Sequence, residues 1–201
     1  MLGGGRGDAG RQCLAGDDGT GRIRMNMIFP NGQLTQALKL SVVLPDKLAL
    51  TVDYRRSFPQ MIAAGGYDWI SRDLTSKCFP VVTESVVQFE GKLFHFDRDI
   101  LTGKALEATR SADAVNPWEP GKIEHLLAFG AQYPEEQRKY PILALASVAQ
   151  VDGDRYVPCL SRDGGGRRHL SLPWWHSCWN RCCRFLAVRK LSSAALRPSD
   201  A

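Results

Sequence analysis

Hydrophobic and polar positions are patterned most clearly in the second half of the chain. Ile142 to Val151 and Arg155 to Ser161 are apolar-rich runs joined at Asp152-Gly153, a dipeptide suited to the two positive φ angles of a type I′ turn, so a β-hairpin is predicted. The first run is apolar on both faces, as a central strand would be. Pro158 cannot donate to a ladder, which predicts an unpaired side or a bulge in the second. A third strand is expected at His169 to Leu172, after the loop Asp163-Gly-Gly-Gly-Arg167, and a fourth at Cys183 to Arg189, after a Trp-rich connection. Earlier, Lys47 to Tyr54 alternates with Leu48, Leu50 and Val52 on one side. Val86 to Phe96 places Val87, Phe89 and Leu93 toward one face and Phe94 and Phe96 toward the other. Gly91 marks a bulge or a close backbone approach.

Helical periods are shorter. Ser57 and Gln60 have capping-box spacing, with Phe58, Met61 and Ile62 on one face and Gly65-Gly66 as the stop. Thr102 is placed as the N-cap of a helix to about Ala112. Asn116-Pro-Trp-Glu-Pro120 reads as the start of another helix, with Ile123, Leu126 and Leu127 as its apolar stripe. A weak helical pattern covers Gln33 to Val43, Pro45-Asp46 marks a turn, and Tyr67 to Pro80 has no clean period. The fold class expected is α+β: an antiparallel sheet with about three short helices packed on it.

Composition sets the limits of that domain. Residues 1–26 hold eight glycines and little that could join a core, so they read as a disordered tail, with Met25 and Met27 as alternative starts. One domain is expected over 27–190, and 191–201 reads as a frayed tail. The longest apolar run falls short of the ~18 to 20 residues of a membrane span, and no secretory signal is seen, which places the chain in the cytoplasm. There its six cysteines are expected as reduced thiols.

Charge is distributed unevenly. Residues 155–201 carry nine basic and two acidic groups, a local balance of +7, while 27–154 carry 13 and 16. A basic C-terminal third attracts polyanions.

His125-Leu-Leu-Ala-Phe-Gly130, Glu136-Gln-Arg-Lys-Tyr-Pro141, Val157-Pro-Cys-Leu160 and Cys183-Arg-Phe-Leu-Ala-Val-Arg-Lys190 resemble a family of small uncharacterised bacterial proteins. So do Lys92 to Asp99 and Asn116 to Pro120. The resemblance spans about Met27 to Lys190. It implies that both tails lie outside the shared domain, and it brings no activity, catalytic residue or cofactor with it.

Three constellations bear on chemistry. His95, Asp97 and Asp99 are spaced i, i+2, i+4, so a continuous strand would present all three on one face to a divalent metal, as in a metal-dependent hydrolase. Against this, the strand reads as ending near Phe96. His176, Cys178, Cys182 and Cys183 are zinc-ligand types, but their spacing lacks the usual paired ligands. Arg167, Arg168, Trp174, Trp175, Trp179, Arg181 and Arg184 mix aromatic faces with cations, which suits nucleic acid or an acidic protein. The alternative is that the tryptophans close the core under arginine stems. No P-loop or G-x-S-x-G elbow is present, and no cofactor is expected. The leading expectation is a non-catalytic binding or accessory protein that meets its partner through the basic and aromatic C-terminal face, with the hydrolase as the alternative. The oligomeric state is not set by the sequence.

Overall fold

A computed structural model describes residues 47–81 and 85–191. The glycine-rich tail, the Gln33 to Val43 helix, the Pro45-Asp46 turn and the tail beyond Leu191 lie outside the described residues. In chain order the elements are β1 (Leu48–Asp53), α1 (Phe58–Ala64), β2 (Trp69–Ile70), β3 (Val86–His95), β4 (Ile100–Leu101), α2 (Thr102–Ser111), β5 (Glu119–Pro120) and α3 (Ile123–Gln132). A 3-10 turn at Glu136–Arg138 leads into β6 (Ile142–Leu143), β7 (Ala149–Val151), β8 (Asp154–Tyr156), β9 (Cys159–Arg162), β10 (Arg168–Ser171), β11 (Cys178–Trp179) and β12 (Arg184–Lys190).

The class is α+β, but the sheet is mixed where an antiparallel one was expected. Its order is β1-β3-β12-β6-β9-β10-β2, with β5 also on β12. β12 runs parallel to β6, and β10 runs parallel to β2. Tight turns enforce antiparallel pairing only between consecutive strands. Here about forty residues separate β6 from β12 in sequence, so long-range packing sets their direction.

Strand alternation carries through to two apolar faces. β1 pairs β3 with Leu50 opposite Phe89 and Leu48 opposite Gly91, in unbroken register, so Gly91 is paired without a bulge. Leu48, Leu50, Val52, Phe89, Ile142, Leu160 and Leu170 are buried on the face that receives α1 and α3. The opposite face carries a cluster of Leu143, Leu145, Val157, Cys159, Trp179, Cys183 and Phe185. Ala105 of α2 joins it, and Phe94, Phe96, Val148 and Trp175 pack around it. The outer edge of β1 is shielded by α3: the Gln132 side chain brackets the Thr51 backbone, and the Tyr133 hydroxyl donates to the Ala49 carbonyl at 2.6 Å.

Local signals fared unevenly. Gln60 Oε1 accepts from the Ser57 amide at 2.8 Å at the start of α1, as the capping spacing predicts. Asp152 and Gly153 have φ of 51° and 89°, the type I′ geometry, and join β7 to β8 with Val151 opposite Asp154. The long strands expected on either side are each broken. Ala144 to Val148 leaves the sheet, with the Ala144 amide on the Pro158 carbonyl and the Ala146 amide on the Gly121 carbonyl. Val157-Pro158 separates β8 from β9, where the proline's missing donor interrupts the ladder.

Two helix starts are displaced. Thr102 is the first helical residue rather than the cap, because its hydroxyl donates to the Trp175 carbonyl at 2.5 Å and accepts from Trp179 Nε1 at 2.9 Å. Glu119–Pro120 is strand β5, since β12 offers it a free edge, and α3 begins only at Ile123. At the crossing the Gly121 amide donates to the Leu186 carbonyl at 2.7 Å. A Cβ on Gly121 would lie 2.9 Å from that carbonyl oxygen, so Gly121→Ala must push β5 off β12. The expected cost is about 1 to 3 kcal/mol, read as a lowered unfolding midpoint in urea.

Candidate functional site

The Trp-rich connection between β10 and β12 is strapped at several points. The Val157 amide donates to the Pro173 carbonyl at 3.0 Å, Trp174 bridges Tyr156, and the Trp175 amide donates to the Arg155 carbonyl at 2.7 Å. Further on, β11 pairs with β4, Cys178 opposite Leu101 and Trp179 opposite Ile100. The Thr102 hydroxyl joins both halves by contacting Trp175 and Trp179 together. Successive side chains of an extended segment point to opposite sides. Trp175 therefore packs against the apolar cluster, while Trp174 stands exposed, edge-on to His176 at 5.2 Å.

Beside Trp175 an open cleft of about 690 Å³ is lined by Lys77, Cys78, Val148, Gln150 and Arg155. The Arg155 guanidinium lies 4.4 Å from the centre of the Trp175 ring, a cation–π stack that holds the charge at the rim. Among the described residues neither Lys77 nor Arg155 is paired with a carboxylate, and the described lining contains no acidic side chain. An apolar patch, a stacked arginine and a lysine without a counter-charge can receive an anionic group carried on a flat or apolar body. A second groove, of about 610 Å³ along α2, mixes Arg98, Asp99, Lys104 and Glu107. It therefore does not select a partner by sign.

Of the seven residues expected to form a partner surface, only Trp174 and Trp175 belong to this strap, Trp175 beside the cleft and Trp174 on the strap's outer side. Arg167 is exposed at the other end of β10 and is bound to Asp163 at 2.7 Å. That side-chain contact, with backbone donors from Arg167 and Gly165, holds the Asp163 carboxyl below its ordinary range. Arg168 is buried, 7% exposed, with its guanidinium bonded to carbonyl and amide oxygens of the interior. It cannot reach a partner. Trp179 is likewise a core residue, its indole N–H held by Thr102. Arg184 is half-buried at the start of β12, its guanidinium 4.6 Å from the centre of the Tyr140 ring and donating to the carbonyls of Arg181, Cys182 and Cys183. Burial lowers its pKa. Arg181 is exposed nearby, and its carbonyl accepts from His95 Nε2 at 2.9 Å.

His95, Asp97 and Asp99 do not converge. β3 ends at His95 and a bend follows, so the alternation that would align them is lost. No group of three or more potential ligands forms among the described residues. His176, Cys178, Cys182 and Cys183 are also kept apart: His176 sits against Trp174, Cys178 lies in β11, and Cys183 is buried with its thiol 3.6 Å from Asn180 Oδ1. The Cys159 thiol is fully enclosed, and burial pushes its pKa far up, as for a packed rather than a reactive thiol. None of the described cysteines is in a disulfide.

Lys77 and Arg155 were absent from the expected surface. Arg155 sits one residue beyond the hairpin turn and was legible as an outward position of β8. Lys77 belongs to the aperiodic segment after β2, where no local signal marks its placement. No protein-family model, curated protein or solved structure matches the chain.

Proposed function

We propose that the chain is a non-catalytic accessory or binding protein whose partner is acidic and docks on the surface built by Lys77, Arg155, Trp174 and Trp175. The observation that carries this reading is the Arg155–Trp175 stack at 4.4 Å on the rim of a cleft whose other cation, Lys77, has no carboxylate among the described residues. Charge free of internal partners is available to an external one, and the aromatic under it adds dispersion contact without opposing charge. The thiols of Cys78, Cys159 and Cys178, outside any disulfide, agree with a reducing compartment such as the cytoplasm. Among the described residues no helix is long and apolar enough to cross a membrane.

The test is retention on an immobilised sulfated polysaccharide, a generic polyanion. Lys77→Glu/Arg155→Glu is expected to elute at markedly lower salt than the wild type. Arg98→Glu/Arg110→Glu, with the same change in net charge at exposed positions elsewhere, is expected to shift elution little. Equal shifts from both pairs would mean that overall charge, not this surface, governs binding, and the assignment would be withdrawn.

A further inference from the structure

Resting on that reading, we infer that the acidic partner is single-stranded nucleic acid, with phosphates at Lys77 and Arg155 and bases stacked on Trp69 and Trp174. Trp69 and Trp174 are the exposed tryptophans of the described residues, 49% and 48% open. An indole costs free energy where it meets water without a partner. Each ring is also steadied by a histidine: Trp69 lies 5.4 Å from His169, and Trp174 lies 5.2 Å from His176.

Sheet register puts Trp69 on the same side as the cleft. Ser171 pairs with Cys159, His169 pairs with Ser161, and Trp69 pairs with His169. Paired residues share a face, as do residues two apart in a strand. Cys159 belongs to the cluster against which Trp175 and Val148 pack, so Trp69, His169 and the cleft's apolar wall lie on one side of the sheet. Trp174 follows His169 by five residues, a chain distance of no more than roughly 18 Å, and its ring is on the outer side of the strap, so a strand that meets Arg155 passes over the strap's edge to reach it. Asp163, whose carboxylate is 3.6 Å from His169, is already bound by Arg167.

The chemistry separates nucleic acid from an acidic polypeptide. Carboxylate side chains would satisfy Lys77 and Arg155 but would offer nothing to two open indole faces. A single strand carries a flat π surface on every phosphate-linked unit, and stacking on aromatics is tolerant of sequence. In a duplex those faces are already stacked, so the duplex should be the poorer ligand.

The experiment is a fluorescence titration of the full chain with an oligodeoxythymidylate of fifteen or so units, the matching duplex, and polyglutamate. The wild type is expected to bind the single strand with quenching of tryptophan emission, and the duplex and polyglutamate more weakly. Trp69→Ala/Trp174→Ala removes exposed rings only. It should lose at least about tenfold in single-strand affinity while keeping its salt dependence. Lys77→Gln/Arg155→Gln should instead flatten the log–log salt slope by about 1.4. Tight polyglutamate binding without oligonucleotide binding would overturn the nucleic-acid assignment and leave the acidic-partner surface standing. Single-strand affinity unchanged in Trp69→Ala/Trp174→Ala would overturn the stacking role, and no binding to any probe would remove both readings.

Discussion

Replacing Arg168 by methionine is expected to destabilise the fold by roughly 3 to 5 kcal/mol, although the substitution keeps most of the side chain's bulk. The guanidinium is a hub. Nη1 donates to the Gly65 carbonyl at 2.5 Å, Nη2 to the Gly130 carbonyl at 2.7 Å, and Nε to Gln137 Oε1 at 3.2 Å. Gly65 caps the C-terminus of α1, and Gly130 lies in the last turn of α3, so one cation faces the negative ends of two helix dipoles. Gln137 in turn donates to the carbonyls of Ser161 and His169, tying the hub to β9 and β10. Burying a guanidinium costs several kcal/mol. Three charge-assisted hydrogen bonds, each contributing about 1.5 to 3 kcal/mol, offset that cost. Removing the cation recovers its desolvation but strands three buried acceptors, and the stranding wins because the Tyr67 hydroxyl, buried beside Gly65 and Gly130, supplies one donor for three acceptors. Arg168→Lys should recover little, since an ammonium cannot reproduce the planar fork. Urea unfolding with an unchanged m-value reads the loss directly. A loss below about 1 kcal/mol would mean that the acceptors find water and that the hub is dispensable.

Acidification from pH 6.5 to pH 4 is expected to remove up to about 3 kcal/mol of stability through His125 alone. The ring is buried at the first turn of α3, edge-on to Phe89 at 4.6 Å. Its Nδ1 accepts from the Lys122 amide at 3.0 Å, which leaves the other nitrogen as the protonated one, against the Tyr54 hydroxyl at 3.3 Å. Burial first, and the Lys122 charge second, lower its pKa from 6.5 to about 4. Below pH 6.5 the unfolded chain takes up a proton that the folded ring refuses, so stability is full above that pH and falls toward pH 4. Tyr54 and Glu124 are the other titratable groups near it; burial and the Glu124 charge push the Tyr54 hydroxyl up to about 12, so Tyr54 stays neutral throughout. The carboxyls of Glu90 and Asp113 are held below their ordinary values, by the Arg189 side chain for Glu90 and by backbone donors for Asp113. Their contribution is lost at lower pH than that of His125. Stability measured across this range should slope in the wild type and lie nearly flat in His125→Gln. Equal slopes would assign the acid sensitivity elsewhere.

The balance between local and long-range information differs from residue to residue. Alternation at Leu48, Leu50 and Val52, the opposed faces of Phe89 and Phe94, and the capping spacing of Ser57 and Gln60 were legible because a strand or a helix turn enforces its own period. Asp152-Gly153 was legible because few residues adopt consecutive positive φ angles. The candidate surface was legible only in its tryptophans. Nothing in Arg167-Arg168 distinguishes the exposed arginine from the buried one until α1 and α3 bring their C-termini to the second. Lys77 and Trp69 reach the cleft's side of the sheet through β2, a two-residue strand whose parallel pairing with β10 has no local signature. Composition and short-range periodicity by themselves determined the α+β class, the apolar faces and the basic C-terminal excess, since each depends on neighbours a few residues apart. Which strands run parallel, which cations lack a carboxylate and which indoles meet solvent were decided by the tertiary structure, because burial and hydrogen bonding are settled between residues as many as a hundred or more positions apart, as Asp68 and the Arg168 amide are.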